Sequence, residues 1–352
     1  MPALIYPVLL ACVLTQGAGA GWLLVIFNIA VVPTLDHAVR WRWPGWLPPP
    51  TWQRVCFAPA WFWIYALAQA AALIGALQLG TRQTLDVLGF MGLASGIGIM
   101  TGTGGITAAH ELVHRRHRRE RALGLGLLAM ASYLHFRIQH VEGHHRFVGT
   151  PQDPVSAARG DRFPSYFARV LWQGPAQAWR LECVRRRARS LPVWAPGNRV
   201  LQYALLQLLI YGAIGIVFGG VGVALFLLQS LIAIHLLEAV NFVQHYGLRR
   251  AGAAGQREAV GEQHAWESAD PISPLLVFNL SRHAVHHRCP AVPLQELPLS
   301  TRAPRLPYSF FLMVFLALIP PLWTRVMEPR LRQLLVDQDR KPPSTVSVVP
   351  VT

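Results

Sequence analysis

Six long apolar segments, at roughly 3–18, 20–36, 58–80, 85–108, 201–218 and 221–243, constrain this chain more than any other feature of it. At about 1.5 Å of rise per residue, a helix of about 20 residues crosses a hydrocarbon core of about 30 Å. The longer segments meet that length. The first two are short and need local thinning of the bilayer or help from neighbouring helices. Tight links (GAGAG at 17–21, TRQT at 81–84, GGVG at 219–222) join the segments in pairs, which predicts three helical hairpins. A composition of 53% hydrophobic and 14% charged residues fits a membrane protein and not an ordinary soluble one. MPALIYPVLL has no basic n-region, so the N-terminus reads as a first membrane helix and not a cleaved signal.

Charge sets the orientation. Of 32 Lys and Arg residues, only Arg82 falls at a hairpin tip. The rest lie on one side, which the positive-inside rule makes cytoplasmic. That topology explains the net charge of +15 and removes the need for a nucleic-acid partner. The four cysteines, Cys12, Cys56, Cys183 and Cys289, form no CxxC pair, so neither a disulfide framework nor a cysteine-bound cluster is expected. The Trp- and Arg-rich link at 37–55 reads as an interfacial belt. A seventh apolar run, Pro307 to Trp323, is bounded by Arg305 and Arg325 and broken by Pro320 and Pro321. An interfacial or re-entrant segment is expected there. The chain is read as one domain, 1–336, followed by a flexible tail, 337–352.

Nine of the 14 histidines fall in four short motifs on the predicted cytoplasmic side. His110-Glu-Leu-Val-His114 follows the fourth membrane helix. His140-Val-Glu-Gly-His144-His145 repeats the i, i+4 spacing with an extra ligand. Asn241-Phe-Val-Gln-His245 ends the sixth helix. His283-Ala-Val-His286-His287 combines spacings of three and four. Imidazoles four apart on a helix project from one face and can ligate one ion. His110 with His114, His140 with His144, and His283 with His287 are therefore expected to pair. The expected fold class is all-α integral membrane, with six transmembrane helices and a cytoplasmic helical cap carrying these motifs.

Nine imidazoles are too many for one zinc ion but suit two ions with four or five ligands each. No Cys or Met lies within the motifs to favour Cu(I), and haem needs only one or two axial ligands. Two non-haem iron ions fit best. His110-Glu111-Leu-Val-His114 also matches the zinc-protease signature, with Glu111 as general base. A membrane zinc metalloprotease would need one further ligand and would leave the remaining motif histidines without a role.

Taken together, HELVHRR, HVEGHHRFVGTPQDP, NFVQHYGL and LSRHAVHHR resemble the membrane alkane 1-monooxygenase family and its relative, xylene monooxygenase, in order and spacing. QHAWES and LIPPLWTRVMEPRLR extend the likeness to about Arg332. Fatty-acid desaturases and lipid hydroxylases have similar histidine boxes. The resemblance implies that His110, His114, His140, His144, His145, His245, His283, His286 and His287 are iron ligands. It implies O2-dependent hydroxylation of a terminal or methyl C–H bond, n-alkane to 1-alkanol, in a bacterial-type inner membrane. His264 matches a family histidine near the site. Gln244 stands where alkane hydroxylases usually carry Glu, as in the xylene enzyme, and Val285 replaces a common acidic residue. An alkyl-aromatic methyl group therefore stays open as the substrate.

Neutral imidazoles leave the charge of bound iron uncompensated. By position, Glu111, Glu142, Asp153, Glu238 and Asp270 are candidates to supply carboxylates that hydrogen-bond the far side of the ligating rings. A hydrophobic substrate is expected to arrive from the bilayer lipid between helices. The absence of CxxC pairs and of a G-x-G-x-x-G site points to a separate rubredoxin or ferredoxin with its NAD(P)H-dependent reductase. An Arg-rich cytoplasmic surface suits an acidic carrier.

Overall fold

A computed structural model describes residues 2–43, 45–47, 58–252 and 257–339. The 37–55 link lies partly, and the tail mostly, outside the described residues. Among these, the architecture is all-helical, with one isolated bridge between Glu267 and Arg305. Four helices are long and apolar enough to cross a membrane: α2 (Ala18–Arg42), α3 (Pro59–Arg82), α4 (Val87–His114) and α7 (Arg199–His245). Before them, α1 (Pro2–Gln16) is apolar but shorter. Between α4 and α7 lie α5 (Arg118–Met130) and α6 (Phe163–Arg187). The short α8 (His283–Arg288), then α9 (Phe310–Ala317) and α10 (Pro320–Asp339), follow α7.

The 47-residue α7 is not straight. Gly219 adopts φ 65°, outside the helical region. The hydroxyl of Ser132 bonds both Tyr211 (2.9 Å) and Ser230 (3.0 Å), and the Tyr211 and Phe226 rings are 5.3 Å apart. In one straight helix, residues 211 and 230 would be about 28 Å apart. The chain therefore doubles back at Gly219, where a residue without Cβ takes positive φ at no steric cost. Tyr6 of α1 donates to Asn28 of α2 (3.1 Å), and Tyr65 of α3 donates to the carbonyl of Met100 in α4 (2.8 Å). These pairs likewise sit at matching depths on either side of their links.

Glycine-rich α4 lies at the centre. A Cβ on Gly104 would fall 2.0 Å from the Tyr65 hydroxyl, and one on Gly21 would fall 2.0 Å from the Gly92 carbonyl oxygen. Close helix approach through small residues is how membrane helices gain packing contacts when no water drives them together. The expected ends of α2 and α4 (36 and 108) fall short. Both helices continue, so the first histidine motif lies on α4 itself. The run expected to be interfacial or re-entrant packs one side against the helices: α9 buries Phe310, Met313 and Ala317, and Trp323 is also buried, while Tyr308, Ile319 and Leu322 are exposed. A cavity of about 440 Å³ lies between α2, α4, α7 and α9.

Candidate metal centre

Local structure delivers each histidine. His110 and His114 end α4, just after a π-helical stretch, Met100–Ile106. The second motif begins in another π-helical turn, Gln139–His144. His245 is the last residue of α7, and its end is closed by a returning segment. The Trp266 N–H donates to the Gln244 carbonyl (2.8 Å) and its indole to the Tyr246 carbonyl (2.9 Å), which satisfies helix-end carbonyls that have no partner within the helix. Gln244 donates its amide to the Leu280 carbonyl (2.8 Å) and so draws the approach to α8 against α7. That helix carries His283, His286 and His287.

The nine imidazoles meet in two groups. His110, His114, His140, His145 and His286 form one; His144, His245, His283 and His287 form the other. Within each group the available ligand atoms lie within 4.8 Å of one another. The groups abut, with the His145 and His287 ring centroids 4.7 Å apart. His114 and His145 are half-buried and the other seven are buried.

The expected pairing of His140 with His144 does not occur. In a π-turn the hydrogen bonds run i to i+5, so the residue facing the same way as His140 is His145, with Nε2 atoms 3.0 Å apart. His144 turns to the second group. In the ordinary helix α8, His283 and His287 do pair, 2.8 Å apart, and His286 points to the first group. Each adjacent His-His pair thus gives one ring to each group.

The donor set fits metal binding. Nε2–Nε2 separations of 2.8–3.2 Å join His114, His140, His145 and His286 in one chain and His245, His287 and His283 in another. Such spacing suits adjacent ligands on one ion at metal–nitrogen distances of about 2.1 Å. Hydrogen bonding among the rings is a poor substitute, since His140, His145 and His287 would each share one Nε2 with two neighbours. Nε2 of His110 and of His144 have no partner at all among the described residues. Burial first, and then the neighbouring imidazoles, push His140, His145, His283, His286 and His287 well below the usual histidine range. They are neutral, the form that can offer a lone pair.

Two contacts fix tautomers. Nδ1 of His144 lies 2.8 Å from Asp153. Burial opposes ionisation of Asp153, but His144 and the Ser156 hydroxyl hold its carboxyl below the usual range. An ionised Asp153 only accepts, so Nδ1 of His144 carries the proton and Nε2 is free. Nδ1 of His245 lies 3.2 Å from the His264 carbonyl, which also only accepts.

Of the six further candidates, only Asp153 holds one of the nine histidines with its side chain. His264 acts through its backbone. Its ring accepts from Gly261 N–H and reaches Glu258 (2.8 Å), so both nitrogens are committed. Glu111 pairs with Arg115 (2.5 Å) and accepts from Leu294 N–H (3.3 Å). Glu142 takes Arg199 in a two-pronged pair (2.6 and 2.9 Å). Glu238 receives Tyr133, Tyr166 and Asn241. Asp270 binds Arg40, Ser268 and the N–H of Phe310 that opens α9. Each acid is claimed by a donor elsewhere in the chain. Arg199 was not foreseen; the available signal was a lone arginine at the start of an apolar helix. His135, near the second motif, meets Tyr133 edge to face (4.5 Å between ring centroids) and joins neither group.

Residues 86–317 match the fatty acid desaturase family. The chain is 37% identical to alkane 1-monooxygenase 1 of Pseudomonas aeruginosa, across 79% of this chain and 77% of that protein. It is 33% identical to alkane 1-monooxygenase 2 of the same organism, across 88% and 84%. It is 28% identical to the xylene/toluene monooxygenase hydroxylase component of Pseudomonas putida, across 74% and 69%.

Proposed function

The chain belongs to the alkane 1-monooxygenase family, with a fatty acid desaturase-type domain, and from that premise we propose a membrane hydroxylase with a non-haem di-iron centre held by the nine histidines. It is an oxidoreductase that hydroxylates alkanes. The observation that carries this reading is the pair of imidazole groups, with an apolar cavity in the helices that lead to them. The cavity reaches Thr107, one helical turn before His110. It extends to Met91 near the start of α4, about 24 Å away along the helix. That shape suits a long chain presented end-on from the bilayer.

Iron bound by these groups supplies the activation of O2, which no side chain here can perform. The rest falls to the protein. Asp153 and the His264 carbonyl keep the protons of His144 and His245 on Nδ1, so that Nε2 faces the ion. The cavity walls, Leu237, Val240 and Val277 among them, keep the reacting end dry and oriented. One oxygen atom enters the C–H bond and the other leaves as water, with two electrons and two protons from outside. A rubredoxin or ferredoxin with its NAD(P)H-dependent reductase is the proposed source. The half-buried His114 and His145 put the first group nearer the surface and make it the proposed point of electron entry.

The proposed topology is six crossings in three hairpins, with both termini and the histidine cap cytoplasmic, in a bacterial inner membrane. Residues 1–336 are the proposed catalytic domain. Glu111 is ion-paired to Arg115, which disfavours its use as a protease general base. Gln244, shared with the xylene-type reading, keeps an alkyl-aromatic methyl group as the second substrate class. The test is product analysis in cells co-expressing a rubredoxin and its reductase, fed n-alkanes, xylene or fatty acids under labelled O2, with metal content of the purified protein. Labelled 1-alkanol and about two iron ions per chain support the proposal. One zinc ion with peptide hydrolysis overturns it.

A further inference from the structure

The cavity is apolar except for a few side chains, and all but one of these can be accounted for. Asn28 accepts from Tyr6 (3.1 Å) and donates to the Leu24 carbonyl (2.8 Å). Thr103 is bonded to Tyr6, and Thr107 returns its hydroxyl to the Thr103 carbonyl (2.5 Å). Ser95 shows no hydrogen bond to another of the described residues, but a helical serine hydroxyl can turn to its own helix's carbonyls, which an imidazole at mid-helix does not do. His235 is the exception. It lines the cavity from α7 and makes no hydrogen bond among the described residues. Its ring is held edge-on by Phe163 and Phe167, both at 4.8 Å.

An ionisable side chain at membrane depth is costly and marks function by default. His235 is no metal ligand. It lies ten residues before His245, about 15 Å along the helix axis, and belongs to neither imidazole group. The two phenylalanine edges fix its orientation without satisfying its nitrogens, and an imidazole offers both a donor and an acceptor. A pure hydrocarbon in the cavity would leave both unmet.

We propose, resting on the hydroxylase reading above, that the cavity takes an oxygenated hydrophobe, a long chain or ring system carrying a hydroxyl or carbonyl group. His235 hydrogen-bonds that oxygen while the opposite, unfunctionalised end reaches the histidine groups. His235 is then a specificity-determining residue, and the product carries oxygen at both ends.

The experiment compares 1-dodecanol with n-dodecane on the full-length protein in lipid nanodiscs, with protein-free discs as the partitioning control. Equilibrium binding of each radiolabelled compound is measured first, then turnover with a carrier and reductase. The alcohol is expected to bind about 5- to 10-fold tighter than the alkane, the worth of one hydrogen bond, and to yield the α,ω-diol. In His235→Phe the ratio should fall to about one, and His235→Gln should keep part of the preference. Iron per chain, unchanged in both variants, shows that the fold is retained. Equal binding by the wild type, or a preference that survives in His235→Phe, overturns the assignment. If the binding preference holds but neither compound is hydroxylated, the hydroxylase reading fails and the His235 contact stands.

Discussion

Nε2 of His140 lies 3.0 Å from Nε2 of His145, its partner across a π-turn, while His144 faces the other histidine group. This division makes the ligand set testable group by group. His145→Ala and His286→Ala should empty one group and His144→Ala and His287→Ala the other, each taking iron from about two to about one per chain. All four should nearly abolish hydroxylation. His37→Ala and His117→Ala, outside both groups, should keep iron and activity. Metal analysis of the membrane-inserted variants checks this. Wild-type iron in any two of the first four would sink the grouping.

Asp153→Asn keeps the shape of the side chain but no longer enforces the proton on Nδ1 of His144. A loss on the order of 10- to 100-fold in metal affinity or turnover is expected. Glu111→Gln, which disturbs only an ion pair with Arg115 and a contact to Leu294, should cost less. The comparison is made by metal titration and turnover on the two variants. A larger loss in Glu111→Gln than in Asp153→Asn would reinstate Glu111 as the important acid.

Reporter fusions at Arg82 and after Gly220 should read periplasmic, because the proposed topology puts both at hairpin tips opposite the histidine cap. A cytoplasmic signal at either position would break the three-hairpin topology.

Glu182 accepts from Arg185 and from Arg199, which also grips Glu142 beside the second motif. Burial alone would raise its pKa, but these arginines hold it down to about 2. A carboxyl depressed in the folded state stabilises above its unfolded pKa, and that stabilisation disappears as pH falls through the folded value. Wild type should therefore melt above Glu182→Gln at pH 7 in detergent. The gap should begin to close only below about pH 4.5, the ordinary carboxyl range. A gap that is already absent at pH 6 would disprove the clamp.

The four motifs, and with them all nine histidines, were legible because helical spacing and order survive in the sequence. Their partition was not. HVEGHH reads as an i, i+4 pair in any ordinary helix, and nothing in the spacing announces the π-turn that exchanges His144 for His145. The acids near the motifs misled for a related reason. Proximity in sequence says nothing of side-chain direction, and Glu142 and Asp270 are drawn away by Arg199 and Arg40 from distant helices. Apolar runs revealed the helices and, through their short links, the proposed reversals, but not their full lengths. α4 continues to His114 because the motif residues themselves are helical and buried.

The sharing of each His-His pair between groups also bears on how the protein is made. One group draws on the first, second and fourth motifs, and the other on the second, third and fourth. Neither is complete until residues 283–287 have been synthesised, long after the helices up to His245. On the proposed topology, metal loading therefore waits for residues 283–287, which are made after all six crossings, and a chain truncated before His283 would carry those crossings with both histidine groups unfinished.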